Sequence, residues 1–361
     1  MRTTMPRRGF TLIELLIGSA IMLGVVLGAL TLYSRSNKIS ADQQQFVELQ
    51  NDVRGATYFI ARDLRMAGVG VPPAFTGYVL DGVDNETGAG GVTPDRLRLM
   101  GNIEDPLVLS ITSYSGSAAT VTVADQSFEA NGYPDAFYAN RVCLVFPKPG
   151  SPCVGMAVRL ISQVRHNTGG TNEGFNFSPG QAPGVNPPGG LSDVCADSEY
   201  FVGGFILFAD VNEYWLDVTG TASGKTAGLN GYIGGGTGGV LYATKNGVDF
   251  PLAQNIENLQ FQYNGDFNAD GTMDGFTNWN STWTRTQQAA VRQVRIMILG
   301  RTRDAFATIN KVPVSGLALY RRPVLANNAA ASADDWHKRF LLETTSTLRN
   351  VSLNIYNLGM R

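Results

Sequence analysis

The sequence is poor in ionisable side chains and in the residues that build most catalytic and metal sites. Charged residues make up 16% of the 361 residues, and there are three cysteines and two histidines. The formal net charge is −2, so the chain lacks the basic excess of nucleic-acid-binding proteins. His166 and His337 stand far apart, with no HExxH or CxxC motif beside them. A zinc centre, a histidine-based triad and a nucleic-acid partner are therefore not expected.

Two glycine-containing segments imitate nucleotide-binding motifs without their context. Gly220–Thr226 ends like a P-loop, but three residues rather than four separate its glycines. Gly234, Gly236 and Gly239 match the GxGxxG spacing within a glycine tract that no βαβ pattern follows. No catalytic set is complete, and we expect no enzymatic activity.

The N-terminal region contains a long uncharged segment behind a basic cluster. Arg2, Arg7 and Arg8 precede Leu15–Ser34, which holds no charged side chain. At 1.5 Å per helical residue, this segment is long enough to cross a hydrocarbon core of about 30 Å. The arginines indicate a cytoplasmic N-terminus and an exported remainder. The sequence therefore predicts a single transmembrane helix.

Glu14 is unusual because it is an acidic residue at the start of this apolar segment. A carboxylate near hydrocarbon costs several kcal/mol unless it is paired, so Glu14 requires a partner. The string Gly9-Phe10-Thr11-Leu12-Ile13-Glu14 behind a basic leader resembles the class III signal of type IV prepilins and type II secretion pseudopilins. A signal anchor with a stray glutamate is the alternative interpretation.

The resemblance implies how the chain is processed. Prepilin peptidase would remove residues 1–9 by cutting between Gly9 and Phe10, and would methylate the new amine of Phe10. Glu14 would then offset the cationic N-terminus of a neighbouring subunit in the apolar filament core. Residues 10–34 would form the transmembrane and filament-core helix.

The pattern beyond the membrane segment predicts that the helix continues over residues 35–67. Apolar residues recur mostly at three- and four-residue steps: Ile39, Phe46, Leu49, Val53, Ala56, Ile60 and Leu64. Such spacing is typical of a helix that packs one face on a globular domain. A membrane-surface helix is the alternative, which the weakly basic composition does not favour.

The rest of the chain, residues 75–361, is rich in turn-forming residues and short β-like runs. The sequence contains 42 glycines and 16 prolines. The predicted strands are Arg96–Met100, Leu107–Ser113, Thr120–Val123, Arg141–Phe146, Ala157–Val164, Phe205–Phe208, Ile256–Tyr263, Val291–Thr302 and Thr344–Ile355. Thr168–Ser192 and Thr219–Gly239 are predicted as long Gly/Pro-rich loops. The fold class expected is α+β, with a long helix packed on an antiparallel β head.

The three cysteines allow one disulfide in an exported head. We expect Cys143 to pair with Cys153, because the prolines and glycine between them favour a hairpin. A bond from either residue to Cys195 stays open.

One acidic segment matches the start of a calcium-binding loop. Oxygen-bearing side chains occupy positions 1, 3, 5 and 9 of an EF-hand loop, a glycine occupies position 6, and position 7 offers a backbone carbonyl. The candidate ligands are Asp266, Asn268, Asp270, Thr272 and Asp274. Position 12 is Thr277 rather than the usual glutamate, so another group would complete a Ca²⁺ site. A polar turn without metal is the alternative.

The C-terminal part is similar to PilW-type minor pilins. The likeness rests on Leu252–Tyr263, the acidic loop, Val291–Ile296, and the closing elements Arg339-Phe340, Thr344-Thr345 and Leu348–Asn350. It implies a structural minor pilin that primes assembly at the inner membrane, or sits at the pilus tip, and ends in the extracellular fibre. Its implied partners are prepilin peptidase, other minor pilins, the major pilin and a tip adhesin. A J-type pseudopilin of a type II secretion system is the alternative.

Overall fold

The computed structural model describes residues 11–69, 71, 77, 79–85, 93–101, 108–115, 119–124, 138–153, 156–166, 172–178, 186, 188, 190–192, 194–195, 197–217, 239–303, 308–309, 312–313, 320–330, 335 and 337–349.

Helix α1, Leu12–Met66, is one continuous helix of 55 residues. At 1.5 Å per residue it is about 80 Å long. Thr11 is its N-cap, with a capping box to Glu14. The helix ends just before Gly68, which has a φ of +79° and donates its N–H to the carbonyl of Met100 at 3.0 Å. A left-handed residue at this point turns the chain from the helix into the head.

The two halves of α1 have different surroundings. Every residue from Thr11 to Ala41 is exposed, whereas buried residues begin at Leu49 and recur to Leu64. Ile39, predicted to be part of the packing face, is 57% exposed, so that prediction was wrong at this position. The physical reason is that the head contacts the helix only from Phe46 onwards, which is C-terminal to Ile39.

The head contains the following strands and one short helix in its described part. The strands are β1 Leu80–Val83, β2 Arg96–Gly101, β3 Val108–Ser115, β4 Thr120–Ala124, β5 Val142–Phe146, β6 Ala157–Leu160, β7 Gln163–His166, β8 Asn172–Asn176, β9 Phe205–Asp217, β10 Gly239–Lys245, β11 Val248–Gly265, β12 Val291–Arg301, β13 Thr308–Ile309, β14 Val312–Pro313 and β15 Arg339–Thr347. Helix α2 is Arg285–Ala290, and a 3-10 turn covers Ser198–Phe201.

Most of the strands belong to one antiparallel sheet. Its main path runs β15-β12-β11-β10-β9-β3-β4-β8-β7; β1 and β2 join through β9, and β5 with β6 also joins through β9. Helix α1 packs on β11, β12 and β15. Gly300 of β12 has no room for a side chain, because a Cβ there would come within 2.5 Å of Leu49 on the helix. The predicted α+β architecture, a long helix packed on an antiparallel β head, is confirmed.

The buried side chains form two main cores. The larger lies between α1 and the sheet and includes Val53, Ile60, Phe261 and Ile296. The second lies around β3–β8 and contains a group of buried aromatic residues: Tyr138, Phe175, Phe177, Phe201 and Phe208. The larger core thus attaches the head to the helix, and the second core stabilises the part of the head that does not contact α1.

Most predicted strands overlap observed ones, but their bounds differ. The last predicted strand, Thr344–Ile355, is displaced, because β15 spans Arg339–Thr347 and residues 350–361 lie outside the described residues. Strands β1, β10, β13 and β14 were not predicted. Ala157–Val164 is two strands, β6 and β7, and Phe205–Phe208 is the first part of the much longer β9. Strand β8 lies within Thr168–Ser192, which was predicted as a loop. Its sequence, Asn-Glu-Gly-Phe-Asn, has little strand propensity. The strand is stabilised instead by backbone pairing with β4 on one side and β7 on the other. Residues 218–238, most of the second predicted loop, lie outside the described residues.

The expected Cys143–Cys153 disulfide was wrong. The bond joins Cys153 to Cys195, with Cα atoms 5.7 Å apart, and Cys143 is a free, buried cysteine. The predicted hairpin does form between β5 and β6, but its register places Arg159 opposite Cys143. Cys153 lies in the connection between the two strands, too early in the chain to face Cys143.

Candidate functional site

The start of α1 is held by reciprocal hydrogen bonds between Thr11 and Glu14. The carboxylate oxygen Oε2 of Glu14 accepts from the Thr11 N–H and from its hydroxyl, each at 2.9 Å. The Glu14 N–H donates to the Thr11 hydroxyl at 3.3 Å. Both carboxylate bonds use Oε2, and within the described residues no cationic side chain pairs with Glu14. Gly9 and Phe10, the predicted processing site, lie outside the described residues.

The first part of the described helix, from Leu12 to Ser34, forms an apolar rod. Its large hydrophobic side chains are exposed on every side: Leu12, Ile13, Leu15, Leu16, Ile17, Ile21, Met22, Leu23, Val25, Val26, Leu27, Leu30, Leu32 and Tyr33. By length and composition, this part of α1 is sufficient to cross a membrane. A contiguous apolar surface of this size requires lipid or other apolar helices around it. The helix is therefore compatible with membrane anchoring.

The predicted calcium loop connects β11 to the segment before α2. Both carboxylate oxygens of Asp266 accept backbone N–H groups, from Asp270 at 3.0 Å and from Gly271 at 2.9 Å. Gly271 has a φ of +86°, the left-handed conformation that the sixth position requires. The side chain at position 1 thus folds the loop around itself.

The remaining oxygen-bearing side chains of the loop bond to one another. The amide nitrogen of Asn268 donates to Asp270 at 3.1 Å and to Asp274 at 3.0 Å. Hydrogen bonds from the Thr272 hydroxyl and N–H lower the pKa of Asp270. Within the described residues no group of three or more His, Cys, Asp and Glu side chains is arranged to hold a metal ion. The calcium site stays a prediction.

Aromatic side chains fix the base of this loop. The rings of Phe267 and Trp283 stack with centroids 4.5 Å apart. Trp283 also meets Trp279 at 5.1 Å, and the buried ring of Tyr263 meets Trp279 at 5.1 Å. The exposed loop therefore begins at a packed aromatic cluster of the head, which it contacts through Phe267.

Two polar clusters were not predicted. Asp63 is completely buried on α1 and bonds to Asn212 and Tyr214 of β9. Its position, three residues after Ile60 on the packing stripe, is the signal that could have identified it. Separately, Arg339 binds the carboxylates of Glu257 and Asp335, with its shortest contact to each at 2.6 Å.

The Arg339 cluster joins β15 to β11, through Glu257, and to Asp335 in the segment before β15. Burial opposes the charge of Arg339, but hydrogen bonds from its guanidinium to Glu257 and Asp335 raise its pKa overall. Burial likewise works against ionised Asp335, while hydrogen bonds from Arg339 and the N–H of His337 lower its pKa. The contact between Arg339 and Asp335 therefore favours the charged form of both side chains and holds this part of the head together. The ring of His337 also lies 2.8 Å from the carbonyl of Thr302, on the rim of this cluster.

An exposed apolar helix followed by an antiparallel β head defines a class of protein that is compatible with membrane anchoring through that helix. The comparisons with known proteins narrow that class. Residues 240–350 match the family model described as Type IV Pilus-assembly protein W. No curated protein and no solved structure matches the chain.

The match supports a type IV pilus-associated family and involvement in pilus assembly. The matched residues cover β10, β11, β12 and β15. Three of these strands, β11, β12 and β15, pack on α1. The match also covers the segments on which the sequence resemblance rests, Leu252–Tyr263, Val291–Ile296 and Arg339–Asn350. The N-terminal helix lies outside the matched residues.

Proposed function

We propose that this chain is a structural minor pilin of a type IV pilus, made as a prepilin. Prepilin peptidase cuts between Gly9 and Phe10 and methylates Phe10. The subunit waits in the inner membrane as a single-pass protein with a cytoplasmic N-terminus. It then enters the extracellular fibre with other minor pilins and the major pilin, in priming of assembly or at the tip beside an adhesin.

The observation that carries this proposal is the bare apolar rod of α1 in front of a head that matches a pilus-assembly family. Glu14 adds to it. Its carboxylate is placed at the first turn of the rod, where the amine of a neighbouring subunit would be the complementary charge. The role is assembly rather than catalysis. The pilus-assembly match favours this over a J-type pseudopilin, which shares the helix and a β-rich head.

We further propose that the loop Asp266–Asp274 binds calcium and stabilises the head. Its support is the fit of the donor set: three carboxylates, an amide oxygen at Asn268 and a backbone carbonyl at Thr272 suit a hard cation. The hydrogen bonds that Asp266 accepts from the N–H groups of positions 5 and 6 stabilise the turn that such a loop needs. In this proposal the side-chain amide of Asn268 rotates so that its oxygen faces the cation. The cation then binds the carboxylates of Asp270 and Asp274, to which the Asn268 nitrogen now donates.

N-terminal mass spectrometry of the protein from isolated filaments tests the main proposal. The expected terminus is methylated Phe10, after loss of three arginines with the leader. An intact Met1 in the mature protein, or absence of the protein from purified filaments, would contradict it.

A further inference from the structure

Two aspartates face each other where β1 ends and β2 begins. Val83 and Arg96 are the last paired residues of this antiparallel ladder. Asp84 follows Val83 and Asp95 precedes Arg96, so these two side chains stand opposite one another on one face of the pair. Asn85 bridges them: its N–H donates to Asp95 Oδ1 at 3.0 Å, and its side-chain amide donates to Asp84 Oδ2 at 3.1 Å. The two carboxyl groups are also close enough to hydrogen-bond to each other.

The charges of this aspartate pair are poorly compensated. Asp95 is 2% exposed, and Asp84 is partly buried. Like charges directly opposite each other destabilise an antiparallel pair of strands. Besides Asn85, the groups that donate to the pair are the N–H of Phe261 and the side-chain amide of Asn327, both of which are neutral. In the described part of the head, neither aspartate has a cationic partner.

A buried hydroxyl group faces the same pair. Tyr263 of β11 is 1% exposed, and its hydroxyl has no hydrogen-bond partner among the described residues. This oxygen lies against Gly82, two residues before Asp84 on the same face of β1, because a Cβ at Gly82 would come within 2.9 Å of it. Burial, and then the charges of Asp95 and Asp84, raise the pKa of the phenol. Since buried polar groups are normally hydrogen-bonded, the hydroxyl calls for a polar ligand beside the two carboxylates.

The carboxylate oxygens of the pair have the capacity to bind a cation. Each carboxylate oxygen can accept two hydrogen bonds. Oδ1 of Asp95 accepts one, from Asn85, and Oδ1 of Asp84 accepts one, from Asn327, so each keeps a lone pair. Two carboxylates balance the charge of one divalent cation, whereas a shared proton or a monovalent cation leaves one negative charge. The pair therefore favours a divalent cation.

We propose that Asp84 and Asp95 bind one Mg²⁺ ion, and that the hydroxyl of Tyr263 hydrogen-bonds to a water on that ion. Mg²⁺ usually binds through one or two carboxylates and keeps several waters, whereas Ca²⁺ takes six to eight oxygen ligands. The pair supplies two carboxylates, and the partly exposed side of Asp84 is open to water. This site is separate from the loop Asp266–Asp274, and it does not depend on the pilus assignment.

The ion stabilises a junction between three parts of the head. Asn327 donates to Asp84, and Asn328 donates to the Asn85 side chain at 3.0 Å, so the segment 320–330 is attached to the aspartate pair. The N–H of Phe261 attaches β11 to Asp95 at 2.7 Å. An ion that removes the repulsion between the two carboxylates therefore strengthens all three attachments.

Thermal melting of the full-length protein in detergent tests the proposal. The protein is stripped of metals with chelator and measured at pH 8, with and without Mg²⁺ at constant ionic strength. Mg²⁺ is expected to raise the melting temperature by a few degrees at about ten times its Kd. Asp84→Asn removes one carboxylate at nearly constant size and should abolish the rise. The matched control is Asp81→Asn, on the opposite face of β1 where it pairs with Arg98, and it should keep the rise.

Two further variants separate this site from the calcium loop and test the hydroxyl. Asp266→Ala with Asp270→Ala should keep the response to Mg²⁺, and Asp84→Asn should keep the response to Ca²⁺. Tyr263→Phe keeps the ring and should weaken Mg²⁺ binding about tenfold in titration calorimetry, because groups that hold metal ligands contribute at least this much.

Three results would overturn the proposal. The first is identical melting of the unsubstituted protein with and without Mg²⁺. If Asp84→Asn is then also more stable than the unsubstituted protein in chelator, the pair shares only a proton. The second is an equal Mg²⁺ response in Asp84→Asn. The third is a Ca²⁺ response as large as the Mg²⁺ response in the protein with Asp266→Ala and Asp270→Ala, which would show that the site does not prefer Mg²⁺.

Discussion

The hydroxyl of Tyr214 on β9 donates a 2.6 Å hydrogen bond to the carboxylate of Asp63 on α1. Asn212, two residues earlier on the same strand, donates to the same oxygen at 2.8 Å. The other oxygen accepts from Arg62 at 2.9–3.0 Å. Asp63 is fully buried and has three partners, two of them on β9. These bonds fix the rotation of α1 about its own axis and its position along the sheet.

Asp63→Ala should destabilise the head strongly, because it leaves Tyr214 and Asn212 buried without their acceptor. Breaking one side of a buried charged network costs roughly 3–5 kcal/mol. The free energy of unfolding, from urea denaturation of the full-length protein in detergent, measures this loss. Glu48→Ala on the exposed side of the same helix is the control and should change it by less than about 0.5 kcal/mol. Equal effects of the two substitutions would contradict the role of Asp63.

Glu14→Gln separates the two roles that Glu14 can have. Glutamine at the third helical position still completes a capping box, so the helix start should survive. The charge is lost, however, and incorporation into filaments should fall as much as with Glu14→Ala. Immunoblots of membranes and purified filaments measure the two pools, with Glu48→Gln as the control. Normal incorporation of Glu14→Gln would show that capping, not charge, is what the filament needs.

Calcium should raise the melting temperature of the full-length protein by a few degrees. A ligand at ten times its Kd stabilises the native state by about 1.4 kcal/mol. The site lacks the usual glutamate at position 12, so a Kd of roughly 10⁻⁴ to 10⁻³ M is expected. Asp266→Ala and Asp270→Ala should abolish the rise. Asp197→Ala, an exposed aspartate that accepts the N–H of Glu199 elsewhere in the head, should keep it. Identical melting in calcium and in chelator would show that the loop is only a turn.

Stability should fall as the pH rises through neutrality because of Asp95. Burial raises the pKa of Asp95 to about 7, against hydrogen bonds from the N–H groups of Phe261 and Asn85, and the nearby carboxylate of Asp84 adds to the rise. Its folded pKa lies above its unfolded value, so its contribution is fully present below about pH 4 and is lost as the pH rises through 7.

The expected loss from Asp95 is roughly 2–3 kcal/mol between about pH 5 and pH 8. Urea midpoints across this range measure it. Asp95→Asn removes the titrating group, so its stability should fall less over the same range. Parallel pH profiles for the two proteins would contradict the assignment.

Peptide mapping under non-reducing conditions should recover Cys153 linked to Cys195. The bond closes a loop with a sequence separation of 42, and such a loop stabilises a protein by up to about 4 kcal/mol. Cys153→Ser should therefore lower the unfolding free energy. Cys143→Ala deletes the free, buried thiol without opening the loop, and should leave the reducing agent's effect on stability intact. A Cys143–Cys153 peptide would contradict the structure.

The local patterns of the chain predicted the elements of the fold but not all of their partners. The three- and four-residue spacing of Leu49, Val53, Ala56 and Ile60 predicted the buried face of the helix, because periodicity is a property of the helix itself. Strand β8 was missed, since its order comes from two neighbouring strands rather than from its own residues. The hairpin containing Cys143 was expected correctly, and the disulfide was not.

What the sequence determined by itself is local. Hydrocarbon thickness explains why the uncharged length of Leu15–Ser34 predicts a membrane span. The charge of Glu14 among apolar neighbours predicts that it needs a partner. Backbone sterics explain why a glycine at position 271 predicts a sharp turn. Tertiary structure decided which distant groups meet. The register of β5 and β6 places Arg159 opposite Cys143, the disulfide joins Cys153 to Cys195, and the packing of α1 on the sheet brings Asp63 to Tyr214. Neither contact has a local signature, because each depends on the summed packing of elements up to about 150 residues apart in the chain.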